Sequence, residues 1–363
     1  MNIIADQNMP LVEALFAPFG VVRLLPGRAI SAADVREADV LLVRSVTKVD
    51  RELLEGSAVR FVGSATIGTD HIDLEYLAEA GIEFAYAPGC NAEAVVQYDL
   101  AVMSHLLPDW RNKTVGIVGC GNVGGRLYRR LLDLGVTCAV YDPFFSVNDI
   151  ADLGDLAAVI ACDIICLHTP LTTDGDYPSY HLFNEDILKS LKPDALLINA
   201  GRGAVIDNRA LLNAFRQGFT AQVALDVWEA EPRVDRDLMA FVAMATPHIA
   251  GYSLEGKING TAMIHRAFHD WSGQGAPEDK HDNRDAVSPI IVDNLNQAIL
   301  HTYNVARDDQ RMRAAINDNT IPVAQSFDQL RKDYPVRREF SHYAVKRGDS
   351  CATDCEKLGF TIL

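Results

Sequence analysis

The sequence predicts an α/β protein of two doubly wound parallel sheets followed by a small α+β tail. Three observations carry this reading. Short apolar runs alternate with helical patterns through the first hundred residues, and the alternation restarts near residue 114 just before a glycine-rich turn. After residue 272 the composition shifts to Gly, Pro, Asp, Asn and Ser. At 363 residues the chain is also too long for one ordinary core, which suits two or three domains.

The first series of apolar runs covers 2–5, 21–25, 40–44, 60–62 and 82–86, a spacing that predicts βα units in a mostly parallel sheet. Residues 92–107 read as a long apolar helix. The second series covers 114–118, 138–141, 164–168, 195–199 and 223–226. In such sheets ligands bind outside the carboxyl ends of the strands. The stretch 273–289 reads as a linker. Beyond it, 290–305 and 321–334 predict helices, while 343–346 and 360–363 predict short strands.

Charge and cysteine content narrow the function. Lys and Arg number 33 against 49 Asp and Glu, a formal net charge of −16. Nucleic acid and anionic membrane need a basic face, so the balance argues against both. A small anionic ligand then requires a local cluster of Arg and Lys. The N-terminus has neither the basic start nor the apolar run of a signal peptide, and no segment reaches the ~18 apolar residues of a membrane helix. Seven scattered cysteines give no disulfide framework, and the pairs Cys162/Cys166 and Cys351/Cys355 lack zinc-ribbon spacing. His265 and His269 lie four apart with no third ligand in view, so no metal is expected. The expectation is a cytoplasmic protein with reduced thiols.

Gly119-Cys-Gly-Asn-Val-Gly124 is a GxGxxG turn between a strand ending at Val118 and a helix. Gly119 permits the tight turn, Gly121 lets a pyrophosphate approach the backbone, and Gly124 allows close helix–strand packing. The helix start, with Asn122 and Val123, offers main-chain N–H groups and a partial positive charge to phosphates. About twenty residues on, a second strand delivers Asp142. A carboxylate there accepts from both ribose hydroxyls and repels a 2′-phosphate, so NAD is favoured over NADP.

Three further segments place reactive side chains after strands of the second series. Arg202 lies between Gly201 and Gly203, Asp226 and Glu231 lie in Ala224-Leu-Asp-Val-Trp-Glu-Ala-Glu-Pro232, and His248 lies in Thr246-Pro-His-Ile-Ala-Gly-Tyr252. Singly each has an ordinary structural explanation. Together, downstream of a dinucleotide fingerprint, they resemble the D-2-hydroxy-acid dehydrogenase family, from the glycine turn through Tyr252. Oxidising a secondary alcohol needs a base for the hydroxyl proton while hydride leaves carbon for a nicotinamide. By resemblance His248 is that base, Glu231 orients and charges its imidazole, and Arg202 clamps the substrate carboxylate. Asp226, Thr169 and Gly251 match family positions at the cofactor.

The N-terminal loops resemble those of the erythronate-4-phosphate dehydrogenases. The matching stretches are Leu42-Val-Arg-Ser-Val-Thr-Lys-Val49, the run from Phe61 to Asp73, Ala87-Pro-Gly-Cys-Asn91 and the run from His248 to Lys257, with Phe327 to Ser341 from the tail. This resemblance implies oxidation of 4-phospho-D-erythronate to 3-hydroxy-2-oxo-4-phosphobutanoate, a step toward pyridoxal phosphate, with Ser45, Thr66 and Tyr252 as substrate contacts. Arg44, Lys48, Arg337 and Arg338 are candidates for the substrate phosphate. The resemblance also implies a discontinuous flavodoxin-like substrate domain (1–95 and 252–272) and a Rossmann NAD-binding domain (96–251). The linker (273–289) then leads to a C-terminal dimerisation domain (290–363) that makes a homodimer.

Ser64 and Gly201 stand where the family leads one to expect Thr and a larger small residue, and Asp99 puts an unexplained charge in an apolar helix. Two other readings share the fingerprint. One is another member of the class, such as phosphoglycerate dehydrogenase. The other is a non-catalytic NAD-sensing binding protein or corepressor, because function resides in the site and not the fold.

Overall fold

The computed structural model describes residues 1–273 and 286–363. The described residues form two compact units, 1–91 with 253–273, and 92–252 with 286–363. Most of the 273–289 linker therefore lies outside the described residues.

The first unit is built on β1 (Asn2–Asp6), β2 (Val21–Leu25), β3 (Val40–Val43), β4 (Phe61–Ser64) and β5 (Glu83–Tyr86). All pairings are parallel, in the order β2-β1-β3-β4-β5. Strands covered on both faces read as continuous apolar runs. Val-Leu-Leu-Val in central β3 is buried throughout, whereas edge strand β2 is largely exposed. The helix Leu254–Ser272 returns to this unit, its start capped by the Ser253 side chain accepting from Gly256 N and its end closed by Gly273 at φ 71°. Gly63 lets this helix settle directly on β4: a Cβ there would stand 2.4 Å from Ile264 Cγ2.

The second unit carries β6 (Val115–Val118), β7 (Cys138–Tyr141), β8 (Ile164–Leu167), β9 (Leu196–Asn199), β10 (Gln222–Leu225) and β11 (Met244–Ala245). These are parallel, in the order β11-β10-β9-β8-β6-β7. The winding reverses between β6 and β8, and the crevice at such a switch point is where ligands bind. The helix Ala92–Leu106 belongs to this unit over its whole length, with every residue from Val95 to Ser104 buried.

The tail differs from the sequence expectation in two ways. The single helix expected at 290–305 is Leu295–Thr302, capped by Asn294, and a separate helix Val305–Asn317 follows. Helices Val323–Lys332 and Ala352–Leu358 and a parallel sheet of β12 (Ser288–Pro289), β13 (Tyr343–Val345) and β14 (Thr361–Ile362) complete it. Instead of standing as a compact unit of its own, the tail shares cores with the six-stranded unit. Leu295, Ile299, Val345 and Phe360 pack in one cluster with Val96, Leu100 and Trp110, and Met312, Ile316 and Phe327 in another with Leu225 and Met239. Trp110 Nε1 also donates to Asn296 Oδ1 at 2.8 Å.

Candidate active site

The cofactor turn follows β6. Gly119 has φ 86°, and a Cβ there would meet Thr169 N at 2.9 Å. A Cβ on Gly124 would fall 1.9 Å from Gly119 O, so only glycine lets the helix Gly124–Asp133 start this close to the strand end. Gly121 faces open space. Asp142, at the end of β7, accepts from Cys120 N at 2.8 Å through Oδ2 and from Phe144 N at 3.1 Å through Oδ1. Its carboxylate is thereby fixed against the turn. An open glycine face, a helix start that includes Asn122 and Val123, and a carboxylate beside them suit a pyrophosphate joined to a ribose.

The catalytic candidates are held by one network of hydrogen bonds. His248 Nδ1 lies 2.7 Å from Glu231 Oε2, and Glu231 Oε1 accepts from Trp228 N at 2.7 Å. Trp228 Nε1 donates to Thr246 O at 3.0 Å, closing the ring. His248 has φ 56°, a left-handed conformation costly for a residue with a Cβ, and its N–H donates to Asp226 O at 2.7 Å. The buried Asp226 carboxylate accepts from Ile249 N at 2.8 Å and Ala250 N at 2.9 Å, with Thr246 Oγ1 at 2.7 Å. Tyr98 OH is 3.0 Å from the same Thr246 hydroxyl. Asp226 therefore shapes the loop that carries His248.

Electrostatics follow from this packing. Burial raises the Glu231 carboxyl, but the His248 charge, the hydrogen bonds from His248 and Trp228 N, and nearby Arg331 outweigh it and hold its pKa below the usual value. Glu231 is thus a carboxylate at neutral pH. At Asp226 burial wins, and the pKa is raised against the opposing pull of His248 and the loop N–H groups. With Nδ1 engaged by a carboxylate, Nε2 is the ring atom left available for proton exchange.

Arg202 sits on the loop after β9. Asn199 braces that loop, accepting from Gly201 N at 3.1 Å and donating to Arg202 O at 2.9 Å, while Arg202 Nη1 donates to Gly201 O at 2.9 Å. Gly203 lies against the Trp228–Glu229 peptide so closely that a Cβ would stand 2.0 Å from Trp228 C. Gly201 abuts the strand-end carbonyls of Leu167 and Thr169, at 3.0 and 3.3 Å from where its Cβ would be. Any larger residue at 201 meets those carbonyls, a physical reason for the glycine found there. The glycine turn, the Thr169 segment, the Arg202 loop and the Glu231–His248 pair thus form one continuous ridge, with Gly251 and Tyr252 following His248 on the same chain.

The remaining candidates fall elsewhere. Ser45 and Thr66 belong to the first unit, after the adjacent strands β3 and β4. Thr66 Oγ1 donates to Gly68 O at 2.9 Å and lies 2.7 Å from Ser64 Oγ, which is in turn 2.9 Å from His71 Nε2. Arg44 pairs with buried Asp6 at 3.1 Å and exposed Lys48 with Asp50 at 2.6 Å. Arg337, one of the candidates for the substrate phosphate, is buried in the second unit with its guanidinium 4.2 Å over the Tyr303 ring. Asp99 faces His168, Oδ2 to Nε2 3.0 Å, both fully buried just before Thr169. Among the described residues, His181, Asp207 and Glu229 form a cluster with metal-ligand chemistry. Both carboxylates in it also accept main-chain N–H groups, Asp207 from Ala210 and Glu229 from Asn208, so it ties two loops together as it stands.

Residues 93–250 match the family described as D-isomer specific 2-hydroxyacid dehydrogenase, NAD binding domain, and 277–359 match a domain of unknown function (DUF3410). The erythronate-4-phosphate dehydrogenase of Teredinibacter turnerae is 51% identical, the alignment covering 100% of this chain and 99% of that protein. The chain belongs to the erythronate-4-phosphate dehydrogenase family. The corresponding enzyme of Cellvibrio japonicus is 48% identical over 95% of each chain. Among solved structures, the D-lactate dehydrogenase of Aquifex aeolicus complexed with NAD and lactic acid superimposes with a TM-score of 0.64 at 20% identity. That match covers 76% of this chain and 96% of the other, and shows the shared fold. The protein is accordingly an NAD-dependent oxidoreductase of the 2-hydroxy-acid class.

Proposed function

We propose that this protein oxidises 4-phospho-D-erythronate to 3-hydroxy-2-oxo-4-phosphobutanoate in the biosynthesis of pyridoxal phosphate. The observation that carries the reading is the carboxylate-backed imidazole of Glu231 and His248, set beside the Arg202 loop on the ridge that begins at the glycine turn. Bound NAD supplies the acceptor for the hydride that leaves C2. His248 Nε2 takes the C2 hydroxyl proton, and the Glu231 carboxylate stabilises the imidazolium so formed. Arg202 holds the substrate carboxylate and polarises the C2 oxygen with its fork of donors. Asp142 receives the adenosine ribose, and Asn122, Val123, Thr169 and Gly251 line the rest of the cofactor. Asp226 acts as a positioning residue for the His248 loop. Ser45, Thr66 and Tyr252 contact the substrate.

We also read the protein as a cytoplasmic homodimer assembled through its tail. No helix of the described residues is long and apolar enough to cross a membrane. The test is NADH formation from 4-phospho-D-erythronate and from 3-phosphoglycerate under saturating NAD, with a keto-acid acceptor control. A clear preference for the four-carbon acid supports the reading. Preference for 3-phosphoglycerate overturns the substrate but keeps the class, and NAD binding without turnover favours the sensor reading.

A further inference from the structure

Two arginines of the tail reach the catalytic loops, Arg337 at Ala250 O and Arg331 at the Tyr252 ring. Arg331, on the helix Val323–Lys332, places its guanidinium carbon 5.7 Å from the Tyr252 ring centre and 5.9 Å from that of Phe327. It engages the Tyr252 side chain, and the Glu231 and Asp226 carboxylates act on its charge. Burial disfavours its charge, yet Tyr252 and those two carboxylates hold its pKa above the ordinary value. Each Glu231 oxygen already takes one hydrogen bond, Oε2 with His248 Nδ1 and Oε1 from Trp228 N. Arg331 Nε is buried with no hydrogen-bond partner in the structure.

Its position is not accidental to a loose tail. Arg337, on the same segment, donates through Nη2 to Ala250 O, in the loop that carries His248, and to Ala94 O at 3.3 Å. Tyr334 meets the Tyr252 ring edge-on at 5.7 Å and donates from its hydroxyl to Asp308 Oδ2 at 2.6 Å. The tail is thus stapled to residues 250–252, and Arg331 rides on that staple. A largely desolvated guanidinium that stacks on the Tyr252 and Phe327 rings and lacks a partner for its buried Nε suits an anion.

We propose that Arg331 is a specificity residue that binds the second anionic group of the substrate, its phosphate, while Arg202 binds the carboxylate. This rests on the substrate reading above. It also assigns the tail a direct part in substrate choice, since the tail lies outside the matched NAD-binding domain.

The experiment compares wild type, Arg331→Gln and Arg331→Lys in KM for 4-phospho-D-erythronate and in Ki for unphosphorylated D-erythronate as an inhibitor of that reaction. NAD affinity and Tm are measured on the same samples. Arg331→Gln is expected to raise the KM by roughly 30-fold to 100-fold, the size of a lost charge-assisted contact, and to move the Ki by less than about threefold. Arg331→Lys is expected to recover part of the loss, because it keeps the charge but not the fork. Equal losses for both ligands would overturn the proposal and leave Arg331 as a prop for Tyr252 and Glu231. An unchanged KM would overturn it outright. If wild type instead oxidises 3-phosphoglycerate, the substrate reading fails, and the same comparison with glycerate still decides the role of Arg331.

Discussion

Gly203→Ala adds a single methyl group at the point where the Arg202 loop meets the Trp228–Glu231 segment. The new Cβ would stand 2.0 Å from Trp228 C, 2.2 Å from Trp228 O and 2.5 Å from Glu229 N. All three are main-chain atoms, so no change of rotamer relieves the clash. Restoring an ordinary 3.4 Å contact separates the two loops by about 1.4 Å. Overpacking of this kind costs typically about 1–3 kcal/mol of stability. The larger effect falls on catalysis, because a displacement of about 1 Å between groups that must converge on one substrate costs on the order of 100-fold in rate. The assay is kcat/KM for the hydroxy acid at saturating NAD, with NAD affinity from fluorescence titration. We expect kcat/KM to fall about 100-fold and NAD affinity to stay within about threefold, since the glycine turn is untouched. A kcat/KM within about threefold of wild type would refute the claim that these loops are locked backbone to backbone.

Asp142→Ser removes the charge fixed against Cys120 N and Phe144 N, and should raise the ratio of NADP to NAD use by about tenfold or more in steady-state assays. An unchanged ratio would remove Asp142 from the ribose. Asp163 is held down to about 2 by Lys192, 2.6 Å away, and by Thr114 N at 2.9 Å. Its folded pKa lies below the unfolded one, so its contribution is present above the unfolded value and is lost as pH falls toward the folded one. Asp163→Asn should therefore lower Tm at neutral pH, with the gap to wild type narrowing as melts are taken at progressively lower pH below about 4. A gap that stays constant would contradict the linkage.

The strands of both large sheets were legible because buried parallel strands are apolar on both faces, as in Val40–Val43 and Ile164–Leu167. Met244–Ala245 and Ser288–Pro289 are too short to show any period. The charged helix Val305–Asn317 hid behind the apolar run that precedes it, and its separation by the extended backbone of Tyr303 and the non-helical Asn304 is a local break that hydrophobic pattern does not report. Arg202, Glu231 and His248 could be picked out because each follows a strand with a distinctive local motif. Their bracing could not. Asn199, Trp228, Thr246 and Tyr98 act through contacts between strand ends and a helix distant in sequence. The charge at Asp99 made no sense until His168 stood 3.0 Å from it. Arg337 shows the converse, because an arginine in a tail motif reads the same whether it faces solvent or is buried against main-chain carbonyls.

The most direct test of the account is His248→Ala, assayed for NADH formation from 4-phospho-D-erythronate and for NAD affinity on the same preparation. Removing the imidazole takes away the base that Glu231 holds at 2.7 Å but touches neither the glycine turn nor Asp142. The account predicts turnover lower by about 100-fold to 10,000-fold with NAD affinity within about threefold of wild type. Turnover near that of wild type would contradict it.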